Sequence, residues 1–191
     1  MAVSSPVRKI VVSGALGAVS IVLVLFNIGF IPWFAGVSIT FMHVPAIIAG
    51  VLEGPAAGAV VGGIFGVTSL VKAATQPQGP IDVFFTNPLI SVLPRILVGV
   101  VGWAVFRLFR GRLTGAAAAT AGVAGSLANA LLVLGLLVLF KAIPLAVAGT
   151  VFVSNSLIES AAGGILTLAV VSAWKGIESR SGRSRLADEG S

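Results

Sequence analysis

The feature that most constrains this sequence is an apolar stretch with no charged residue between Ile10 and Phe41. A transmembrane helix needs roughly 20 consecutive apolar residues, so this stretch is long enough to cross a bilayer. The same character continues along the chain, because its mean hydropathy is +1.11 and only 9% of its 191 residues are charged. The sequence therefore predicts an integral membrane protein.

Several functional classes are disfavoured by what the sequence lacks. It contains no cysteine, and therefore no disulfide framework and no thiolate metal site, and a single histidine cannot form a metal site alone. The pattern GxxxxGK[ST], which cradles nucleotide phosphates, is absent from the printed sequence. The one histidine lies in a different span from any obvious nucleophile, so we also expect no catalytic residues and no cofactor.

The hydrophobic segments predict an all-α, polytopic membrane protein built as a bundle of six transmembrane helices with extracellular capping loops. We place the helices at about 10–30, 41–52, 56–73, 87–107, 115–140 and 150–174. Breaks rich in Pro and Gly separate them, such as LEGP at 52–55 and the irregular loop at 28–40. Residues 1–9 form a polar lead, 10–174 the membrane domain, and 175–191 a charged tail that we expect to be disordered.

The basic residues predict that both termini are cytoplasmic. On the other side of the predicted bundle lie only Lys72 and Lys141, whereas the terminal side carries Arg8, Lys9, Arg107, Arg110, Arg112, Lys175, Arg180, Arg183 and Arg185. Cytoplasmic loops of membrane proteins carry such an excess of Lys and Arg. The net charge of +6 is thus explained by membrane orientation, and we expect no nucleic-acid partner.

An arginine in the fourth predicted helix gives the main indication of function. Arg95 lies inside the apolar run 86–99, and a charged group within a membrane span is costly unless it faces a cavity or a partner. Pro94 has no backbone N–H, so it frees a carbonyl one turn back that another group must satisfy. We interpret this run as the wall of a polar pocket inside the bundle.

Polar residues from three predicted helices fall at a similar depth in the outer half of the bundle. They are Asn87 and Arg95 in the fourth helix, Asn129 in the fifth, and Asn155 and Glu159 in the sixth. Convergent polar groups below outward-facing loops are typical of a ligand pocket. Three further candidates lie in or beside those loops, namely His43, Trp33 and Phe84.

Structural roles remain open for these residues. Arg95 and Glu159 can pair with each other and hold the bundle together, and Asn129 can form an interhelical hydrogen bond. Asn87 and Asn155 both suit the N-cap of a helix. For the remaining candidates the alternatives are packing at a helix start and anchoring of aromatic rings among lipid headgroups.

Three motifs together resemble a known family. The sequence contains H-x-P followed by G-P within 43–55, NPLISVLPRILVG at 87–99, and SNSLIESAAGGIL at 154–166. These motifs resemble the substrate-binding S components of energy-coupling-factor (ECF) vitamin transporters, over about residues 8–175. The arginine of the fourth helix and the Asn–Glu pair of the sixth are most similar to the branch that includes pantothenate transporters.

The resemblance implies a membrane subunit that binds a water-soluble vitamin, with pantothenate as the first candidate and cobalamin as another. It also implies protein partners, namely a transmembrane coupling subunit and two cytoplasmic ATPase subunits. The family's AxxxA docking motif maps onto Gly14 and Ala18, where Gly replaces the usual first Ala. Two alternatives come from other classes: a self-sufficient carrier that uses Arg95 and Glu159 for ion coupling, and a structural protein without a ligand.

Overall fold

The computed structural model describes residues 5–32, 38–110 and 114–189. Helices account for most of this part of the chain: α1 (Pro6–Leu25), α2 (Val44–Glu53), α3 (Pro55–Thr75), α4 (Pro88–Ser91), α5 (Leu93–Phe109), α6 (Thr114–Leu139) and α7 (Leu145–Glu189). Two short strands, β1 (Phe30–Pro32) and β2 (Ser38–Thr40), pair antiparallel between α1 and α2. A 3₁₀ turn (Asp82–Thr86) precedes α4. The predicted all-α membrane bundle is confirmed, with the hairpin as an addition.

Five of the passages are long and apolar enough to cross a membrane, namely α1, α3, α4 with α5, α6, and α7 as far as Gly176. α2 is too short to do so. Its ten residues, at about 1.5 Å each, span only about half of a hydrocarbon core of roughly 30 Å. Its first turn lies beside the middle of α6, where His43 contacts Ser126. The second predicted span is therefore a short helix, and the β1–β2 hairpin precedes it where the sequence predicts an irregular loop.

Several helix ends differ from the predicted ones for reasons of backbone geometry. α1 ends at Leu25, earlier than the predicted 30, and the residues that follow include Asn27 (φ 55°) and Gly29 (φ 81°) in the left-handed region. Gly54 (φ 105°) separates α2 from α3, as the LEGP motif predicts, and Pro55 begins α3.

α7 is longer at both ends than the predicted sixth helix. It begins at Leu145, directly after Pro144, and its backbone remains helical to Glu189. The sequence predicts a disordered tail from 175, because Ser, Gly and charge dominate there. Arg, Leu, Ala and Glu in the same tail are good helix formers, which accounts for the difference.

The fourth predicted helix is divided in two. α4 ends at Ser91 and α5 begins at Leu93, because Pro94 has no N–H to donate to the carbonyl of Ile90. The freed carbonyl finds its partner within the same segment, since Arg95 Nη1 donates to Ile90 O at 2.6 Å. Arg95 thus satisfies the break that Pro94 creates.

Close contacts through glycine hold the half of the bundle that lies away from the hairpin. Gly58 of α3 meets Gly99 of α5 backbone to backbone, and a Cβ at Gly122 of α6 would overlap the carbonyl oxygen of Gly163 of α7. Small residues allow membrane helices to approach this closely. The two helix pairs pack directly on each other through α5 and α6, and α2 packs against all four of these helices.

Candidate functional site

A partly enclosed cavity opens at the end of the bundle that carries the hairpin. Its empty space, which includes the open mouth, is about 1100 Å³. Apolar side chains line much of it. The polar residues in its lining are Asn27, Thr40, Ser69, Lys72, Gln76, Gln78, Asp82, Arg95, Asn129, Asn155, Ser156 and Glu159.

Arg95 is the cation of the deep part of this cavity. It is 7% exposed, and its guanidinium lies over the rings of Phe65 and Phe85, at 5.5 and 5.2 Å from their centroids. Within the described residues its Nε has no hydrogen-bond partner, and no carboxylate oxygen lies within 4.0 Å of it. A cation removed from water needs a counter-charge, so Arg95 offers an anion-binding group to the cavity.

The depth of Arg95 is fixed by the contact between α3 and α5. Gly62 packs so closely on the carbonyl oxygen of Arg95 that a Cβ at position 62 would overlap it. One turn further along α3, the carbonyl of Gly66 accepts a hydrogen bond from Ser91 Oγ at 3.2 Å. The cation therefore sits on a wall whose position is set by backbone contacts.

The opposite wall comes from α6 and α7 and carries hydrogen-bonding groups. Asn129, Asn155, Ser156 and Glu159 are each at most 7% exposed. Asn129 Oδ1, Asn155 Nδ2 and Ser156 Oγ have no hydrogen-bond partner among the described residues. Since buried polar groups are nearly always paired in native proteins, this wall is suited to a polar ligand that supplies the partners.

Arg95 and Glu159 line the same cavity without touching each other. Among the described residues no ion pair within 4.0 Å joins them. Glu159 Oε1 instead accepts a hydrogen bond from the backbone N–H of Thr40 at 2.7 Å. The structural alternative, in which the two side chains only pair with each other, does not describe this arrangement.

Two predicted site residues have structural contacts away from the cavity lining. Asn87 is the N-cap of α4, since its Oδ1 accepts a hydrogen bond from Leu89 N at 3.0 Å. His43 is fully buried at the start of α2, with Nε2 at 2.8 Å from Ser126 Oγ. Asn155, by contrast, cannot be the N-cap considered above, because α7 begins well before it at Leu145.

The structure also changes which aromatic side chain is assigned to the cavity. Phe84 and Phe85 both pack with the apolar side chains around the end of α6 and the start of α7, but only Phe85 also lines the cavity. Both lie in the 3₁₀ turn before α4, where successive side chains point about 120° apart because there are three residues per turn. Trp33 lies outside the described residues.

A second cation, not among the predicted site residues, lies at the mouth of the cavity. Lys72 Nζ, in the last turn of α3, donates to the carbonyl oxygen of Val24 and to Asn27 Oδ1. A signal for it was present, because Ser69, Lys72 and Gln76 are spaced i, i+3 and i+7, which places them on one helix face. No comparable signal marks Asn27, which reaches the cavity through its left-handed turn.

The two residues predicted for docking lie on the outer face of α1. Gly14 and Ala18 are exposed, and a Cβ added at Gly14 would meet nothing within 4 Å. Exposed Val11 and Val22 continue the same stripe at helical spacing. The result is an uncovered face of small and apolar side chains.

Comparisons with known proteins agree on one family. The family model of the substrate-specific component of ECF transporters matches residues 8–173. The chain is 33% identical over 159 residues to the pantothenic acid transporter PanT of Lactococcus lactis subsp. cremoris. The aligned region covers 74% of this chain and 80% of that protein. The chain is also 32% identical over 116 residues to the pantothenate transporter PanT of Leuconostoc mesenteroides, covering 59% of this chain and 57% of that protein.

Proposed function

We propose that this chain, which belongs to the family of ECF transporter substrate-specific components, binds pantothenate in its cavity for import into the cell. Its place in this family, expected from the motifs, is confirmed by the match over residues 8–173. The family consists of transporters, so the chain is a transport subunit and not an enzyme. Pantothenate is supported by the names of the two similar transporters and by the chemistry of the cavity.

The choice of ligand rests on the buried guanidinium of Arg95, which lines the cavity and has no carboxylate oxygen within 4.0 Å among the described residues. Pantothenate has a carboxylate at one end, an amide in the middle, and two hydroxyls beside two methyl groups at the other end. We assign its carboxylate to Arg95, because a guanidinium binds a carboxylate through charge-assisted hydrogen bonds. We assign its amide and hydroxyl groups to Asn129, Asn155 and Glu159, whose polar atoms line the opposite wall.

Our proposed orientation places the cavity outside the cell and both termini in the cytoplasm. The basic end of the bundle is the one opposite the cavity, as two contacts illustrate. Arg8 Nε donates to Glu53 Oε1 at 2.8 Å, and Lys175 Nζ lies 5.1 Å from the ring centroid of Phe106. The positive-inside rule assigns this end to the cytoplasm.

For the protein partners we propose a transmembrane coupling subunit and two cytoplasmic ATPase subunits, because this sequence carries no nucleotide-binding motif of its own. The exposed stripe of α1 that contains Gly14 and Ala18 is the proposed docking face. Replacing both residues with Leu is expected to leave pantothenate affinity unchanged and to reduce uptake at least about tenfold, since bulk prevents close helix approach. Uptake in cells and copurification with the coupling subunit measure this, and normal assembly of the double variant would count against the docking face.

The ligand itself is tested by denaturing the purified protein and identifying the released small molecule by mass spectrometry. Pantothenate at near one-to-one occupancy is the expected result. A different vitamin would retain the class of function and replace the ligand. Uptake driven by an ion gradient in vesicles that contain this chain alone would overturn the proposal in favour of a self-sufficient carrier.

The role of Arg95 is tested by comparing pantothenate with pantothenol, its neutral alcohol analogue. Arg95→Gln should weaken pantothenate binding at least about 100-fold, since losing a buried charged partner costs about 3 kcal/mol. Pantothenol affinity should change much less, because pantothenol has no carboxylate. The thermal stability of the ligand-free protein should change little, since the loss of the Arg95 bond to Ile90 O is offset by the removal of a buried charge. Calorimetric titration measures both affinities, and an equal loss for the two ligands would contradict the assignment of the carboxylate to Arg95.

A further inference from the structure

Lys72 belongs to the cavity and to the end of α1 at the same time. It lines the mouth of the cavity from the last turn of α3. Its Nζ is also bonded to the carbonyl oxygen of Val24 and to Asn27 Oδ1, which lie in and just beyond the last turn of α1. One side chain thus connects the binding site to a neighbouring helix.

The position of these acceptors makes the contact a helix cap. The last carbonyls of a helix lack intrahelical partners and carry partial negative charge, so a lysine bonded to them is stabilising. The backbone there turns away from the helix, with Asn27 at φ 55° and Ile28 N donating to Leu23 O at 3.0 Å. We call this contact of Lys72 with Val24 and Asn27 the α1 latch.

α1 has polar contacts with neighbouring helices at both of its ends. It lies at the edge of the bundle, where it packs mainly on α3 and α2 and leaves Val11, Ala18 and Val22 exposed. At its other end Arg8 bonds Glu53 of α2. The exposed side of α1 carries the docking face, while Val24 and Asn27 at its C-terminal end line the cavity. α1 is therefore the element that connects the two proposed functional surfaces.

We propose that Lys72 is a positioning residue that couples occupation of the cavity to the position of α1. A ligand that fills the cavity beside Lys72 restricts its side chain to the latch geometry, and the latch holds the C-terminal end of α1 against α3. The docking face then becomes more rigid when pantothenate is bound. This inference rests on the proposed function, because it takes pantothenate as the ligand and α1 as the docking helix.

Hydrogen–deuterium exchange on the purified full chain tests the latch first without ligand. In Lys72→Met the amides of residues 26–28 should exchange about tenfold faster than in the wild type, because the cap that holds this turn is lost. Asn27→Gly should give a smaller acceleration, since it removes one acceptor while glycine keeps the left-handed backbone. Lys72→Arg, which retains a charged donor, should restore most of the protection.

The coupling is tested by repeating the measurement with saturating sodium pantothenate for each variant. In the wild type pantothenate should slow exchange at 26–28 several-fold, and in Lys72→Met this slowing should disappear while the amides near Arg95 remain protected. A merely structural role of Lys72 would change the ligand-free rates and leave the effect of pantothenate intact. Lys141→Met is the matched control, because it removes an exposed lysine from the same end without touching the cavity lining.

The possible failures are distinguishable. Exchange at 26–28 that is unchanged in ligand-free Lys72→Met overturns the latch. Faster ligand-free exchange with an unchanged pantothenate effect overturns the coupling. A wild-type protein that does not bind pantothenate overturns the proposed function and the coupling, but the ligand-free comparison then still decides whether the latch exists.

Discussion

The two halves of this bundle differ in how closely their helices pack. In the half away from the hairpin, α3 meets α5 and α6 meets α7 backbone to backbone, at positions where a side chain larger than glycine would overlap the neighbour. In the half that carries the hairpin, α6 and α7 line a cavity in which Asn129 Oδ1, Asn155 Nδ2 and Ser156 Oγ lack hydrogen-bond partners among the described residues. The first, the glycine half, leaves no room for a side chain at these contacts, and the second, the cavity half, has unused hydrogen-bonding capacity in the cavity lining.

This difference indicates a division between stability and binding. Without a hydrophobic driving force between helices in a bilayer, close packing supplies much of their association, so the glycine half should determine whether the protein folds. Unpaired polar atoms contribute little to folding and are costly until a ligand pairs with them, so the cavity half should determine affinity. Substitutions in the two halves are therefore expected to have separable effects.

The largest expected effect comes from filling the glycine half. Gly122→Val should cost at least about 3 kcal/mol of stability, because its side chain would overlap the carbonyl of Gly163 on α7. The matched control is Gly135→Val on the same helix, where a Cβ meets nothing within 4 Å. Size-exclusion chromatography and thermal melting in detergent measure the difference, and equal yields of monodisperse protein from both variants would contradict the division.

A glycine at the border between the halves should affect binding through geometry. Gly62→Ala is expected to lower thermal stability, because the added methyl would overlap the carbonyl oxygen of Arg95. The displaced wall should also weaken pantothenate binding about tenfold, roughly 1.4 kcal/mol. Part of the preference for pantothenate over pantothenol should be lost with it. Gly63→Ala is the control, since its Cβ would lie 3.8 Å from Ile96 Cγ1, an ordinary contact. Similar affinities and preferences in both variants would show that α3 does not set the position of Arg95.

The smallest expected effects come from substitutions of single asparagines, one of which should lower affinity and the other stability. Asn155→Ala should lower pantothenate affinity by about three- to tenfold, the value of one hydrogen bond, without loss of thermal stability. Asn87→Ala should do the reverse, because it removes the N-cap of α4, at a cost of about 1 kcal/mol in stability, and leaves affinity unchanged. Titration and thermal melting of the two variants side by side measure affinity and stability. A loss of affinity in Asn87→Ala would show that Asn87 contributes to binding.

Much of this architecture could be predicted because its signals are local. Hydropathy marks the membrane passages, and Gly54 with Pro55 marks the turn between α2 and α3. Arg95 was identifiable because a charge in an apolar run is rare, and Glu159 because it stands in an apolar helix. These features depend on residue type and sequence spacing alone.

Other features of the cavity could not be read from spacing. Phe84 and Phe85 are adjacent and chemically identical, yet only Phe85 faces the cavity. Asn87 and Asn155 both suited an N-cap or a ligand contact, and the start of each helix separates the two roles. From the sequence, Lys72 is simply a charged residue near a loop at the membrane interface. Only the folded structure shows that α1 ends beside it.

From the sequence alone it follows that this is a multi-pass membrane protein and that only a few side chains in its apolar segments carry polar chemistry. Hydrophobic length and the rarity of charge set those properties before any helix meets another. Which polar groups converge on the cavity, and which form hydrogen bonds within the protein instead, depends on how the helices assemble. The physical reason is that these outcomes depend on the rotation and approach of whole helices, which backbone contacts at glycines such as Gly62 and Gly122 fix across long sequence separations.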